Sequence, residues 1–102
     1  MNDIVINTGE YSGLHAHEML VLKACKPATA AYGMFYDAVV LRMRLTPYIT
    51  RGEYPADYES IIGDADRLVR MGFLQRSAHG ISDNPVYALT PAGSDMLRDK
   101  VA

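Results

Sequence analysis

The chain has 102 residues, a net charge of −2 and a single cysteine, Cys25. This length suits one domain and is too short for two, and a lone cysteine excludes an intramolecular disulfide. With 49% hydrophobic and 22% charged residues, the composition is globular rather than disordered or fibrous. We therefore expect one domain over residues 1–102, with Cys25 as a small buried hydrophobic residue.

The N-terminal sequence lacks the features of a secretory signal. Residues 1–6 contain no basic region and only three consecutive apolar residues. The richest apolar stretch, 28–45, is interrupted by Asp37, Arg42 and Arg44, which argues against an ordinary membrane-spanning helix. We therefore expect a cytoplasmic protein that makes no contact with a membrane.

The chain is predicted to begin with an arm and a helix. Residues 1–13 contain a short apolar run and turn residues, which indicate a strand or an ordered arm. A helix is expected from about Leu14 to Cys25, with Ser12 as its cap. The Lys26-Pro27 pair is expected to end it.

A second helical region is predicted between Ala28 and Leu45, which Gly33 divides so that Met34 to Leu45 is the better-defined helix. It should end at Thr46-Pro47, with a loop following through Gly52. Its apolar residues recur at three- and four-residue spacing and cover a wide face: Tyr32, Phe35, Tyr36, Val39, Val40 and Met43. A helix of this kind is either buried centrally or shared with a second subunit, and we expect a homodimer. The three aromatic residues of this set fit core or dimer packing, or alternatively a ligand pocket.

The third predicted helix lies near residues 57–71 and ends at Gly72. Pro55 suits its first turn, and Asp57 and Glu59 suit the positive end of the helix dipole. At about 100° per residue, one face is apolar and consists of Tyr58, Ile61, Ile62, Ala65, Leu68 and Val69. The opposite face carries Glu59, Ser60, Gly63, Arg67 and Arg70.

A hairpin and a last helix complete the predicted order. Residues 73–77 and 86–90 alternate as strands do and are separated by a polar segment, which predicts an antiparallel pair. Thr90 is expected to cap the last helix, with Pro91 at its first position. The predicted fold class is α+β and mostly α.

Two segments of the second half resemble a known family. Residues 68–76 (LVRMGFLQR) and 86–93 (VYALTPAG) are similar to winged-helix regulators of the PadR and MarR kind. In those families a recognition helix ends in a leucine, a glycine and an apolar pair, a wing follows, and a Tyr-x-Leu-Thr-x-x-Gly segment opens the next helix. The resemblance covers about residues 55–98 and implies a winged helix-turn-helix with a two-stranded wing.

The resemblance also implies a DNA-binding transcriptional regulator whose third helix enters a major groove of double-stranded DNA. Ser60 and Gly63 would permit close approach, and Arg67 and Arg70 would reach bases or phosphates. Gly63 costs about 1 kcal/mol of helix propensity relative to alanine; it either serves that approach or is simply tolerated on an exposed face. Further contacts to the DNA backbone would come from Arg51, Arg76, His79, Asn84 and Lys100.

The acidic residues of the same region favour a different function. Residues 53–66 contain five acids and no base: Glu53, Asp57, Glu59, Asp64 and Asp66. Such a surface repels a polyanion and suits a protein partner, as in a phage-type inhibitor, an antirepressor or a replication accessory protein. Ion pairs within the helix, Asp64–Arg67 and Asp66–Arg70, would give some of these acids a role in stabilising the helix instead. Because a fold does not decide a function, both hypotheses remain.

The sequence contains no motif that predicts catalysis. In His15-Ala16-His17-Glu18, the two histidines would point about 200° apart on a helix, so we interpret the segment as a solvated helix start and not as a metal site. Nucleophile-elbow, phosphate-loop and dinucleotide-binding motifs are absent. We therefore expect no enzymatic activity, no cofactor and no metal.

Overall fold

A computed structural model of the protein describes residues 14–27, 35–77 and 85–101, with side chains through residue 98. Within these residues the fold is small, mostly helical and α+β. The elements in chain order are α1 (Ala16–Ala24), β1 (Tyr36–Asp37), α2 (Ala38–Thr50), α3 (Tyr58–Arg70), β2 (Leu74–Ser77), β3 (Val86–Leu89) and α4 (Pro91–Val101). The predicted arm at 1–13 lies outside the described residues. Among the described helices, none has the length and hydrophobicity to cross a bilayer.

The three strands form one antiparallel sheet in the order β1-β3-β2. Strands β2 and β3 pair from Leu74 opposite Leu89 to Ser77 opposite Val86, which confirms the predicted hairpin. On the other side of β3, Tyr36 of β1 lies opposite Tyr87. The sequence pattern placed Tyr36 in a helix, and this prediction is wrong. The strand was missed because two residues are too few to show periodicity.

Helix α1 begins later than the sequence predicts. It starts at Ala16 with His15 as its N-cap, so Ser12 is not the cap. The backbone N–H of His15 donates to Oε1 of Glu18 at 3.0 Å, which satisfies one of the donors that a helix start leaves open.

Helix α2 is shifted toward the C-terminus relative to the prediction. It begins at Ala38, because the carboxylate of Asp37 accepts from the N–H of Val40 at 2.9 Å and caps the helix. It continues through Pro47 to Thr50, so the expectation that Pro47 ends the helix is wrong. The extra turn lets Tyr48 and Ile49 pack against the core, which offsets the backbone hydrogen bond that proline cannot make. The connection to α3 is therefore residues 51–57.

Helix α3 confirms the prediction for residues 57–71. Asp57 is its N-cap and accepts from the N–H of Ser60 at 2.9 Å. Pro55 lies before the helix rather than in its first turn. Gly72 follows the helix with φ +89°, a left-handed conformation that glycine adopts at little cost.

The start of α4 is joined to the turn that follows α3. The Thr90 hydroxyl accepts from the N–H of Gly93 at 3.1 Å and donates to the carbonyl oxygen of Gly72 at 2.6 Å. This confirms Thr90 as the cap of the last helix. A Cβ atom on Gly93 would overlap the carbonyl oxygen of Phe73, so the helix can lie this close to the turn only with glycine there.

The core lies between the helices and the inner face of the sheet. Helix α1 contacts α2, α3 and α4, and the largest fully buried apolar side chains are Tyr87, Leu22, Leu41, Leu45, Ile61, Leu68 and Leu74. Cys25 is fully buried, as expected, and this burial raises the pKa of its thiol to about 12. The thiol is therefore protonated at neutral pH and packs as a small apolar group.

The apolar residues of α2 divide between the core and the surface. Ala38, Leu41 and Leu45 are buried in the core. Val39 and Met43, one turn apart on another side of the helix, are 44% and 67% exposed. Tyr36 is buried and serves packing, whereas Tyr32 lies outside the described residues. The wide apolar face thus leaves part of its area at the surface.

Candidate nucleic-acid interface

The two faces of α3 are arranged as its periodicity predicts. Ile61, Ala65 and Leu68 are buried against the core. On the opposite side Glu59, Gly63, Arg67 and Arg70 are exposed, and Ser60 is half-buried. Tyr58 departs from the prediction, since it is exposed and its ring lies 5.6 Å from the guanidinium of Arg42.

Gly63 makes a bare site in the middle of this outward face. A Cβ atom placed on it would have no described atom within 4 Å. The fold therefore does not require glycine at this position, although glycine costs about 1 kcal/mol in a helix. The missing side chain leaves the helix backbone open to the close approach of a partner.

Arg67 is not paired with Asp64, which corrects the sequence-based prediction. Its Nε atom lies 2.8 Å from Oε2 of Glu18 on α1. The side chain of Glu18 is 3% exposed and that of Arg67 is 53% exposed. The interpretation of residues 15–18 as a solvated helix start is therefore wrong for Glu18, which is buried between helices, although His15 and His17 are exposed.

Asp66 is also paired differently from the prediction. Instead of Arg70, it contacts Nη1 of Arg76 at 2.7 Å and accepts from the Tyr87 hydroxyl at 2.8 Å. Burial and this hydrogen bond raise the pKa of the Tyr87 hydroxyl. The contact joins the C-terminal half of α3 to the sheet and brings Arg76 beside the helix.

Asp64 is bound to a tyrosine from the α2–α3 connection. The buried Tyr54 donates to Asp64 at 2.6 Å, and its hydroxyl lies 3.2 Å from the carbonyl oxygen of Ser60. Burial, followed by the bond to Asp64, raises the pKa of the Tyr54 hydroxyl. Its ring centre lies 5.2 Å from that of His17, so this one tyrosine connects α3 with α1.

Of the four other predicted contacts to the DNA backbone, the structure describes the side chain of Arg51 alone. Arg51 forms a hydrogen-bonded pair with Glu53, at 3.0 and 3.1 Å, at the start of the α2–α3 connection. This bond lowers the pKa of the Glu53 carboxyl. His79 and Asn84 lie outside the described residues, and the side chain of Lys100 is also outside them.

Most of the acidic run therefore has an internal partner. Glu53 pairs with Arg51, Asp57 caps α3, Asp64 binds Tyr54 and Asp66 binds Arg76. Among the described residues, Glu59 and Arg70 are the two charged groups of the outward face for which no hydrogen bond or ion pair is found. The positive charges Arg67, Arg70 and Arg76 gather around the C-terminal half of α3.

Sequence reasoning missed three residues that bind charged side chains of α3: Glu18, Tyr54 and Tyr87. Glu18 looks like a first-turn helix acid, and only the packing of α1 on α3 shows that it is buried. Tyr54 lies in an irregular connection, where no period marks a buried side chain. Tyr87 had a signal, since it is the tyrosine of the Tyr-x-Leu-Thr segment on a predicted strand.

In the described parts of the chain, no group of three or more His, Cys, Asp or Glu residues is arranged to hold a metal ion. Comparisons with protein-family models, with characterised proteins and with solved structures find no significant match to this chain.

Proposed function

We propose that the protein is a winged-helix DNA-binding protein that acts as a transcriptional regulator. In this proposal α3 enters the major groove, and the β2–β3 hairpin forms the wing. The element order supports it, because a helix, a short strand and two helices precede the hairpin. The sheet order also supports it, since the last strand lies between the other two.

One observation carries the functional part of the proposal. The outward face of α3 combines the bare Gly63 with Arg67, one turn away, and with Arg70, which is exposed and has no described partner. Arg76 lies beside the helix, in contact with Asp66. The acids that weighed against DNA are mostly engaged in capping and packing. An acidic helix that presents its carboxylates to a basic protein would instead leave them free.

The first experiment measures binding of the protein to a labelled duplex of random sequence, by fluorescence anisotropy across salt concentrations. Each neutralised phosphate contributes about −0.9 to the slope of log affinity against log salt concentration. With three arginines at the interface we expect a slope of about −3. Retention on a heparin column should show the same salt dependence.

Arg70→Ala is the informative variant, because Arg70 has no described partner whose loss would disturb the fold. It should weaken binding and reduce the salt slope by about one. Arg98→Ala is the matched control, since Arg98 is an exposed arginine on α4 paired with Asp95. Absence of duplex binding at low salt would overturn the proposal and favour the protein-interaction alternative.

We also propose that the protein forms a homodimer, and the exposed apolar part of α2 supports this assembly. Val39 and Met43 present apolar area that a single copy leaves at the surface, and burial of such area stabilises association. A dimer would bind two half-sites about 34 Å apart, one turn of DNA.

A further inference from the structure

A buried carboxylate stands directly behind the proposed DNA-binding face. Both oxygens of Glu18 are engaged, because Oε1 accepts from the N–H of His15 at 3.0 Å and Oε2 lies 2.8 Å from Nε of Arg67. The side chain is 3% exposed. These contacts and the surrounding core hold the carboxylate in one position.

The contact with Glu18 uses the inner part of the Arg67 guanidinium. Nε is the nitrogen nearest the aliphatic stem, so the two terminal amino groups lie at the outer end of the side chain. More than half of the side-chain surface remains exposed, at 53%. Arg67 also lies one turn from the bare Gly63 on α3. An arginine held in this way can present its terminal amino groups to a partner that approaches the helix.

We propose that Glu18 is a positioning residue, which orients Arg67 so that its terminal amino groups bind a pair of acceptors on DNA. The pair is either O6 and N7 of a guanine or two oxygens of one phosphate, since the planar fork of arginine fits both. This inference rests on the proposed DNA-binding function. Arg67 is the reading residue, and Glu18 acts through it.

The physical advantage is the restriction of Arg67 before binding. A free arginine loses rotamer entropy when a partner immobilises it. Glu18 fixes most of the side chain in the folded protein, so less freedom is lost on the DNA. Arg70 has no described partner that would fix it in the same way, and it suits sequence-independent attraction to phosphates.

The charge of Glu18 separates orientation from simple attraction. A carboxylate near the interface opposes DNA binding electrostatically. If charge alone mattered, Glu18→Gln would bind every duplex more tightly. If Glu18 orients Arg67, the same variant should bind more loosely where Arg67 makes its contact, even though the protein has become more positive.

The test selects bound duplexes from a random-sequence pool with the full-length protein, sequences them, and measures affinity for the unselected pool across salt. The variants are Glu18→Gln, which retains an acceptor for the N–H of His15, and Arg67→Lys, which retains the charge without the fork. Asp64→Asn is the matched control, because it removes another internally bonded carboxylate, which lies on α3 itself. Thermal melts followed by circular dichroism establish that each variant is folded.

If Arg67 reads a guanine, the wild type enriches a guanine at a fixed position. Glu18→Gln and Arg67→Lys should then each reduce that preference by about fivefold or more, while their affinity for the unselected pool is undiminished. Asp64→Asn should keep the guanine preference of the wild type. If Arg67 binds a phosphate, base preferences stay the same. In that case Glu18→Gln weakens binding to every duplex, and Arg67→Ala reduces the salt slope by about one.

Two results would overturn the inference. In the first, the wild type binds duplexes, and Glu18→Gln has unchanged base preferences with an affinity that is equal to the wild type's or higher for all duplexes. Glu18 then does not position Arg67, while the proposed DNA binding stands. If the wild type binds no duplex at low salt, both the inference and the proposed function fail.

Discussion

Two ion pairs of similar length, Glu18–Arg67 and Arg51–Glu53, lie in different environments. The closest N–O distances are 2.8 Å and 3.0 Å. The side chain of Glu18 is 3% exposed, whereas that of Glu53 is 49% exposed. Removal of a partner leaves an uncompensated buried charge in the first case and a solvated one in the second. Burial, and not contact distance, therefore decides how much the fold depends on each pair.

The largest effect on stability is expected from Arg67→Met, which leaves the Glu18 carboxylate buried without its cation. Breaking a buried pair costs about 3–5 kcal/mol, and because Arg67 is itself partly exposed we expect a loss of about 2–3 kcal/mol in the free energy of unfolding. Urea denaturation followed by circular dichroism measures it. The double variant with Glu18→Gln should lose less than the sum of the two single variants. A loss no larger than that of Arg51→Ala would contradict the comparison.

A smaller effect is expected from Tyr87→Phe, which removes only the hydroxyl that donates to Asp66. The carboxylate keeps its contact with Arg76, so it retains a partner. A net loss of about 1 kcal/mol in the free energy of unfolding is expected for one hydrogen bond. The same urea titration measures it, and a loss as large as that of Arg67→Met would contradict the expectation that Arg76 is a sufficient partner for Asp66.

The exposed pair should have little influence on folding. In Arg51→Ala the urea midpoint should not change measurably, because water solvates the remaining Glu53 carboxylate. The pKa of Glu53 should nevertheless rise toward its ordinary value, since the hydrogen bond from Arg51 is the main cause of its lowering. An NMR titration of the side-chain carboxyl measures this shift. A clear loss of stability would mean that the pair matters more than its exposure indicates.

Met43→Glu extends the comparison to an exposed apolar residue. Because Met43 is 67% exposed, the substitution should not unfold the chain, but it should place a charge in the proposed dimer interface. Light scattering should give the mass of two chains for the wild type and of one chain for the variant. Lys23→Glu, an exposed position on α1, is the control. A wild type with the mass of one chain at all concentrations would contradict the dimer.

The second half of the chain was more predictable than the first. Helix α3, the hairpin, Gly72 and Thr90 follow from local rules, because their apolar periods, cap and turn residues specify the same elements. In the first half, Pro47 gave a misleading stop, and β1 is too short to show a period. The continuation of α2 past Pro47 depends on the packing of Tyr48 and Ile49 on the core. The formation of β1 depends on the pairing of Tyr36 with Tyr87.

For the candidate site, helical periodicity predicted the outward residues of α3 except Tyr58, because this periodicity is a local property of the chain. The partners of its charged residues, in contrast, depend on how the helices and the sheet pack together. The predicted pairs within α3 yielded to Glu18 from α1, Arg76 from β2 and Tyr54 from the connection. A buried carboxylate requires a partner and takes the one that packing brings to it, and no spacing along a single helix contains that information.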